Sequence, residues 1–172
     1  LQRSGYIVAL ISGDRQGPVG WLGQQVGLAK TACYAQRSPE AKAALLKALK
    51  RSEAIGILPD QEPDWGSGVF APFYGRDSYT ATLLPKLVAR TQARVVTGVA
   101  LRIPGKGFEI HFLDADERVY SADDTESATG VNASVEASIA LDPAQYQWEY
   151  KRYRKVVEEQ QGLPNANDFR LY

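Results

Sequence analysis

Residues 54–76 read AIGILPDQEPDWGSGVFAPFYGR. Two short apolar runs, Ala54–Leu58 and Gly68–Phe73, bracket a polar, acidic, glycine-bearing loop at 59–67. An apolar run that stops at proline predicts a buried strand ending at a loop. Asp60 and Gln61 then stand just past the carboxyl end of that strand. In open α/β sheets that edge is where neighbouring loops converge on ligands. The competing reading makes Asp60 and Glu62 solvated turn residues.

Working outward, a chain of 172 residues is the size of one domain with a real core. Apolar residues make up 44% and charged residues 23%, an ordinary globular balance. Twenty basic and twenty acidic residues give a net charge of zero, which argues against nucleic acid as a partner and makes any anion-binding surface local. The single cysteine, Cys33, excludes an internal disulfide and a four-cysteine metal site. No apolar run approaches the roughly 18 residues that a membrane-spanning helix needs. The sequence holds no methionine, even at position 1, so the expectation is the later part of a longer protein or a trimmed product.

Upstream, Tyr6–Ile11 is a continuous apolar run ended by Ser-Gly-Asp, the pattern of a buried strand in a mostly parallel sheet. Residues 18–30 predict a helix weakened by internal glycines. Arg15 falls in the loop between them, where a guanidinium can meet a phosphate with two parallel hydrogen bonds or simply face water. Residues 38–53 predict the clearest helix, with Ser38 at its cap, Pro39 in the first turn and Ala41, Ala44, Leu45, Ala48 and Leu49 on one face.

Downstream, a helix is predicted within 80–92. Arg94–Ile103 and Gly107–Leu113, joined by Pro-Gly-Lys, predict a hairpin. Residues 114–129 read as an acidic surface loop and 130–141 as a helix. Pro143 opens a predicted last helix over 143–160, and 162–172 reads as an irregular tail. In that last helix Trp148 is expected to pack inward, while Lys151, Arg152 and Arg154 face lipid phosphate at a membrane interface or bulk water.

Four blocks in this order, GILPDQEP, GVFAPFYG, LLPKLVARTQA and PAQYQWEYKRYRK, resemble the lipid A biosynthesis acyltransferases of the lauroyl/myristoyl type, within the lysophospholipid acyltransferase superfamily. The resemblance runs from about Lys42 to Arg154. It implies a single α/β domain over 1–172, with a mixed, mainly parallel sheet flanked by helices and lacking its first part. It implies transfer of an acyl chain from an acyl-carrier-protein or acyl-CoA thioester to a hydroxyl of a lipid A precursor or related lipid. The donor thioester is the only cofactor-like species implied. The expected location is the cytoplasmic face of a bacterial inner membrane, bound peripherally. Substrate-binding residues are expected at Arg15, Asp60, Gln61, Arg76, Lys151, Arg152 and Arg154, with Asp60 facing the same cleft as Arg15 or Arg76.

In that superfamily a histidine, oriented by a carboxylate about five residues on, takes the proton from the acceptor hydroxyl. The only histidine here is His111, inside the strand pattern FEIHFL. Asp116 lies five residues on, but a predicted turn at Asp114 separates them. No catalytic residue is therefore assigned within the chain. The alternative is a non-catalytic lipid- or partner-binding domain built on the same fold.

Overall fold

A computed structural model describes the backbone of residues 6–11 and 39–157 and the side chains of residues 42–157. Arg15, Cys33, the helix predicted over 18–30 and the tail 162–172 lie outside the described residues. Strand β1 (Tyr6–Ile11) is followed among these residues by helix α1 (Pro39–Lys50), strand β2 (Ala54–Ile57), strands β3 (Gly68–Phe73) and β4 (Arg76–Ala81), and helix α2 (Leu83–Thr91). Strands β5 (Arg94–Ile103) and β6 (Gly107–Asp114), a 3-10 turn (Glu117–Tyr120), helix α3 (Asp124–Ile139) and a second 3-10 turn (Pro143–Gln145) complete the order.

The expected single, mainly parallel sheet is not what forms. The strands divide into a four-stranded sheet, β2-β1-β5-β6, and a separate two-stranded sheet, β3-β4. Parallel pairing covers four positions of β1–β2 and six of β1–β5. Antiparallel pairing covers six of β3–β4 and eight of β5–β6, so it is the larger share. The reason is local: connections of two or three residues leave only a hairpin possible, because a parallel crossover needs a dozen or more. The β5–β6 turn was legible in Pro104-Gly105-Lys106. The β3–β4 turn was not anticipated, and it is carried by Tyr74 and Gly75, both with positive φ (49° and 75°). That is the backbone twist two-residue hairpins prefer.

α1 forms where its alanine- and leucine-rich face predicted it, and buries Leu45, Ala48 and Leu49. They join Ile55 and Ile57 of β2, Leu84, Leu87 and Val88 of α2, and Val95, Val119 and Val131 in the main core. A second cluster gathers Phe73, Val99, Val135 and Ile139, so α3 packs against both sheets. α3 starts at Asp124, well before the predicted 130, because Asp123 caps it: its side chain accepts from Glu126 N at 2.7 Å. Gly130 lets α3 approach the 3-10 turn, since a Cβ there would lie 2.5 Å from Val119 N.

The helix predicted over 143–160 is also corrected across residues 143–156. Only Pro143–Gln145 is helical, as a 3-10 turn, and short-range bonds such as Arg152 N to Tyr150 O (2.8 Å) fold the rest into turns. The segment is pinned at points that no straight helix could reach together. Tyr150 Oη accepts from Glu62 N (2.9 Å), Ser78 Oγ donates to Arg152 O (3.0 Å), and Tyr153 Oη donates to Phe73 O (2.7 Å).

Candidate functional site

β2 ends at Ile57, and the chain turns at Pro59, placing Asp60 beyond the strand's carboxyl end. Asp60 is half-buried as a residue, but its carboxyl group is enclosed. Burial raises its pKa above the ordinary carboxylate range, while the charge of Arg152 and a hydrogen bond with the Tyr146 side chain oppose that rise. The Tyr146 hydroxyl is in turn held strongly protonated, by burial and then by the charge of Asp60.

Arg152 is the centre of this cluster and is only 4% exposed. Its Nη2 donates to Asn132 Oδ1 (2.8 Å) and more weakly to Thr80 Oγ1 (3.3 Å). Asn132 is itself fully buried on α3, and its Nδ2 donates to Pro72 O (3.0 Å) and Thr80 Oγ1 (2.9 Å). The Thr80 hydroxyl donates to Ser78 O (3.0 Å). The guanidinium lies 5.3 Å from the centre of the Phe73 ring. Its Nε and Nη1 are buried without a hydrogen-bond partner. Burial lowers the Arg152 pKa and the neighbouring Asp60 charge raises it. A buried cation and a buried carboxyl group thus share one low-dielectric site, where their mutual effect exceeds that of a surface pair.

The expected site residues separate into groups. Asp60 and Arg152 come together. The expectation that Arg152 faces a membrane is overturned, because Asn132 and Thr80 hold it inside. Arg154 is committed to Glu62, with Nε 3.1 Å from Oε2. The Glu62 side chain is 0% exposed and also accepts from Lys155 N (2.8 Å) and Nζ (3.2 Å). Lys155 Nζ further donates to Pro63 O at 2.8 Å, so the closing segment clasps the loop that carries Asp60. Lys151 is exposed. Arg76 is exposed and stacks 5.0 Å from the centre of the Tyr153 ring. Arg152, and not Arg76, is among the charges that act on Asp60. Trp148, expected to pack inward, is 54% exposed. It meets Tyr146 edge-on at 4.9 Å and Tyr74 at 5.8 Å, and its Nε1 donates to Pro143 O (2.8 Å).

Gln61 is exposed and lines a groove of about 350 Å³. The groove runs between α1, the loop 61–67 and the start of α2. His111 lies on β6, one edge strand of the larger sheet, with Nε2 3.3 Å from Glu109 Oε1. Asp116 is engaged by Arg118, whose Nε and Nη2 each donate to it at 2.8 Å. The two therefore form no dyad. Tyr146, Asn132 and Thr80 were missed as site residues. The signal for Asn132 was a polar residue next to the apolar stripe Val131, Val135 and Ile139; Thr80 was hidden by the unrecognised hairpin.

Among the described residues no helix is long and apolar enough to cross a membrane. The family model for bacterial lipid A biosynthesis acyltransferases matches residues 36–155. The chain is 30% identical over 123 residues to the lipid A biosynthesis lauroyltransferase of Escherichia coli, covering 70% of this chain and 39% of that protein. It is 25% identical over 112 residues to the palmitoleoyltransferase of lipid A biosynthesis in the same organism, covering 64% of this chain and 36% of the relative. A lipid A biosynthesis acyltransferase of Haemophilus influenzae is 28% identical over 118 residues, covering 67% and 38%. The chain thus spans less than two fifths of the length of these relatives. The matched region contains the β2 edge, both hairpins, α3 and the buried Arg152, and on that evidence the chain belongs to the bacterial lipid A biosynthesis acyltransferase family.

Proposed function

We propose that this chain is the substrate-holding portion of an acyltransferase that acylates a lipid A precursor. The acyl group comes from an acyl-carrier-protein or acyl-CoA thioester. The acceptor hydroxyl oxygen attacks the thioester carbonyl, the carbon–sulfur bond breaks, and the hydroxyl proton passes through a base to the leaving thiolate. In this reading the base is a histidine–carboxylate pair supplied from outside these residues, because His111 pairs with Glu109 on an edge strand. Asp60 orients the acceptor or donor head group, and the charge of Arg152 favours its carboxylate form. The reaction takes place at the cytoplasmic face of the inner membrane.

The observation that carries this reading is the family match over 36–155 with Asp60 and Arg152 gathered at the carboxyl edge of β2. The test is acyl transfer from each thioester to a lipid A precursor, using the longest natural polypeptide that contains the chain. Transfer is expected there, with a drop of tenfold or more in Asp60→Asn, and none by residues 1–172 alone. A polypeptide that binds the precursor but never turns over would establish the non-catalytic binding domain instead. Turnover by residues 1–172 would contradict the assignment of the base.

A further inference from the structure

The groove beside Gln61 is built from two chemistries. Leu46 of α1 and Leu83 and Leu87 of α2 give it an apolar wall, and Lys42, Lys86 and Arg90 place three cations along it. Its acids are Glu62 and Asp64. Glu62 is already matched by Arg154 and Lys155, which leaves one carboxylate against three cations.

Arg51, Arg94 and Arg118, elsewhere on the surface, are each engaged by a nearby acid, Glu53, Asp114 and Asp116. Lys42 and Arg90 are exposed and make no ion pair with a described residue. Lys86 donates to Thr82 Oγ1 (3.0 Å) and has only a distant acid, Asp124 Oδ2 at 3.8 Å. Like charges left facing one apolar groove repel one another, and an anion entering it relieves that repulsion. The volume falls in the range of small-ligand clefts.

We propose that this groove receives a phosphate group carried on an apolar tail, with the tail along Leu46, Leu83 and Leu87 and the phosphate between Lys42, Lys86 and Arg90. This deepens the acyl-transfer reading and rests on it only for the natural source of the phosphate. A coenzyme A or carrier-protein thioester and a phosphorylated lipid both present that chemistry, and Gln61 joins the groove to the loop of Asp60.

The test is calorimetric titration of the 172-residue chain with dodecyl phosphate below its micellar concentration. Dodecyl maltoside, dodecyltrimethylammonium and inorganic phosphate serve as comparisons. Dodecyl phosphate is expected to bind more tightly than all three. Lys42→Glu with Arg90→Glu should weaken it by at least about tenfold, since each reversal replaces an attraction to the phosphate with a repulsion. If that variant failed to fold, added salt would serve as the second measurement and should weaken binding to the native chain. Equal binding of dodecyl maltoside, or indifference to both the charge reversal and salt, would overturn the proposal. Displacement of the probe by dodecanoyl-coenzyme A assigns the groove to the donor, and displacement by short-chain phosphatidate assigns it to the acceptor. Displacement by neither overturns it. The titration needs no turnover, so a failure of acyl transfer and a failure of the groove are read separately.

Discussion

Arg152 and Trp148 sit four residues apart in one segment and have exchanged the places their chemistry suggests. The cation is 4% exposed and the indole 54%. The difference lies in what each side chain can find. The guanidinium meets the Asn132 amide, the Thr80 hydroxyl, the Phe73 ring and the charge of Asp60 inside the fold. The indole meets its one acceptor, Pro143 O, at the surface, and its ring contacts are Tyr146 and the exposed Tyr74. Hydrophobicity places residues on average, but polar partners inside the fold can hold a charge there even with its Nε and Nη1 left unpartnered.

The sharpest way to break this comparison is to remove the buried cation. Arg152→Met leaves Asp60 enclosed without its counter-charge and Asn132 Oδ1 without its donor. It should cost about 3–5 kcal/mol in urea unfolding. A loss below about 1 kcal/mol would mean that Arg152 fills space and nothing more.

Next in size is the residue that holds Arg152. Asn132→Ala removes the donor to the Pro72 carbonyl and the shorter of the two Arg152 Nη2 hydrogen bonds, and should cost about 2–4 kcal/mol by the same measurement. Asn132→Asp is a sharper variant. It keeps the acceptor for Arg152 Nη2 but loses the donor to Pro72 O, so it should recover only part of the loss.

On the other side of the comparison, Trp148→Ala removes one surface hydrogen bond and two ring contacts. The expected cost is about 1 kcal/mol or less. A cost near that of a buried aromatic, about 3–5 kcal/mol, would mean that Trp148 is packed after all.

The smallest effect is the pH slope. Burial holds the Asp60 pKa above its unfolded value, so the folded state binds more protons than the unfolded state in the window between the two. Stability from this group is then fullest at low pH. It falls as pH rises from the ordinary carboxylate value of about 3.9 through the raised folded value. Asp60→Asn should lack that fall, so the native chain loses stability relative to the variant as pH rises across the window. Parallel pH profiles of the two proteins would contradict the raised value.

Much of the scaffold was legible. Tyr6–Ile11, the 39–50 helix, the strand before Pro59 and the 94–114 hairpin all follow from apolar period and turn chemistry. Asp60 was legible for the same reason: a strand, a proline and a carboxylate in sequence fix where the carboxylate sits. Sheet direction was not legible, because Tyr74-Gly75 does not resemble the usual asparagine- or aspartate-glycine turn and the β3–β4 hairpin went unseen. Once that hairpin is missed, Thr80 loses its neighbour Asn132 and the cradle for Arg152 disappears from view. The same omission made 143–155 look helical. Its aromatic and basic side chains read as helix faces, whereas they are anchors to the 60–64 loop and the β3–β4 hairpin, both remote in sequence. Nothing local encodes those partners.

The central claim is that Asp60 and Arg152 act as one site. A double-mutant cycle of Asp60→Asn and Arg152→Met, read by urea unfolding at neutral pH, tests it most directly. The account predicts that the two changes together cost less than the sum of each alone, with a coupling of at least about 1 kcal/mol. Additivity to within about 0.5 kcal/mol would contradict it.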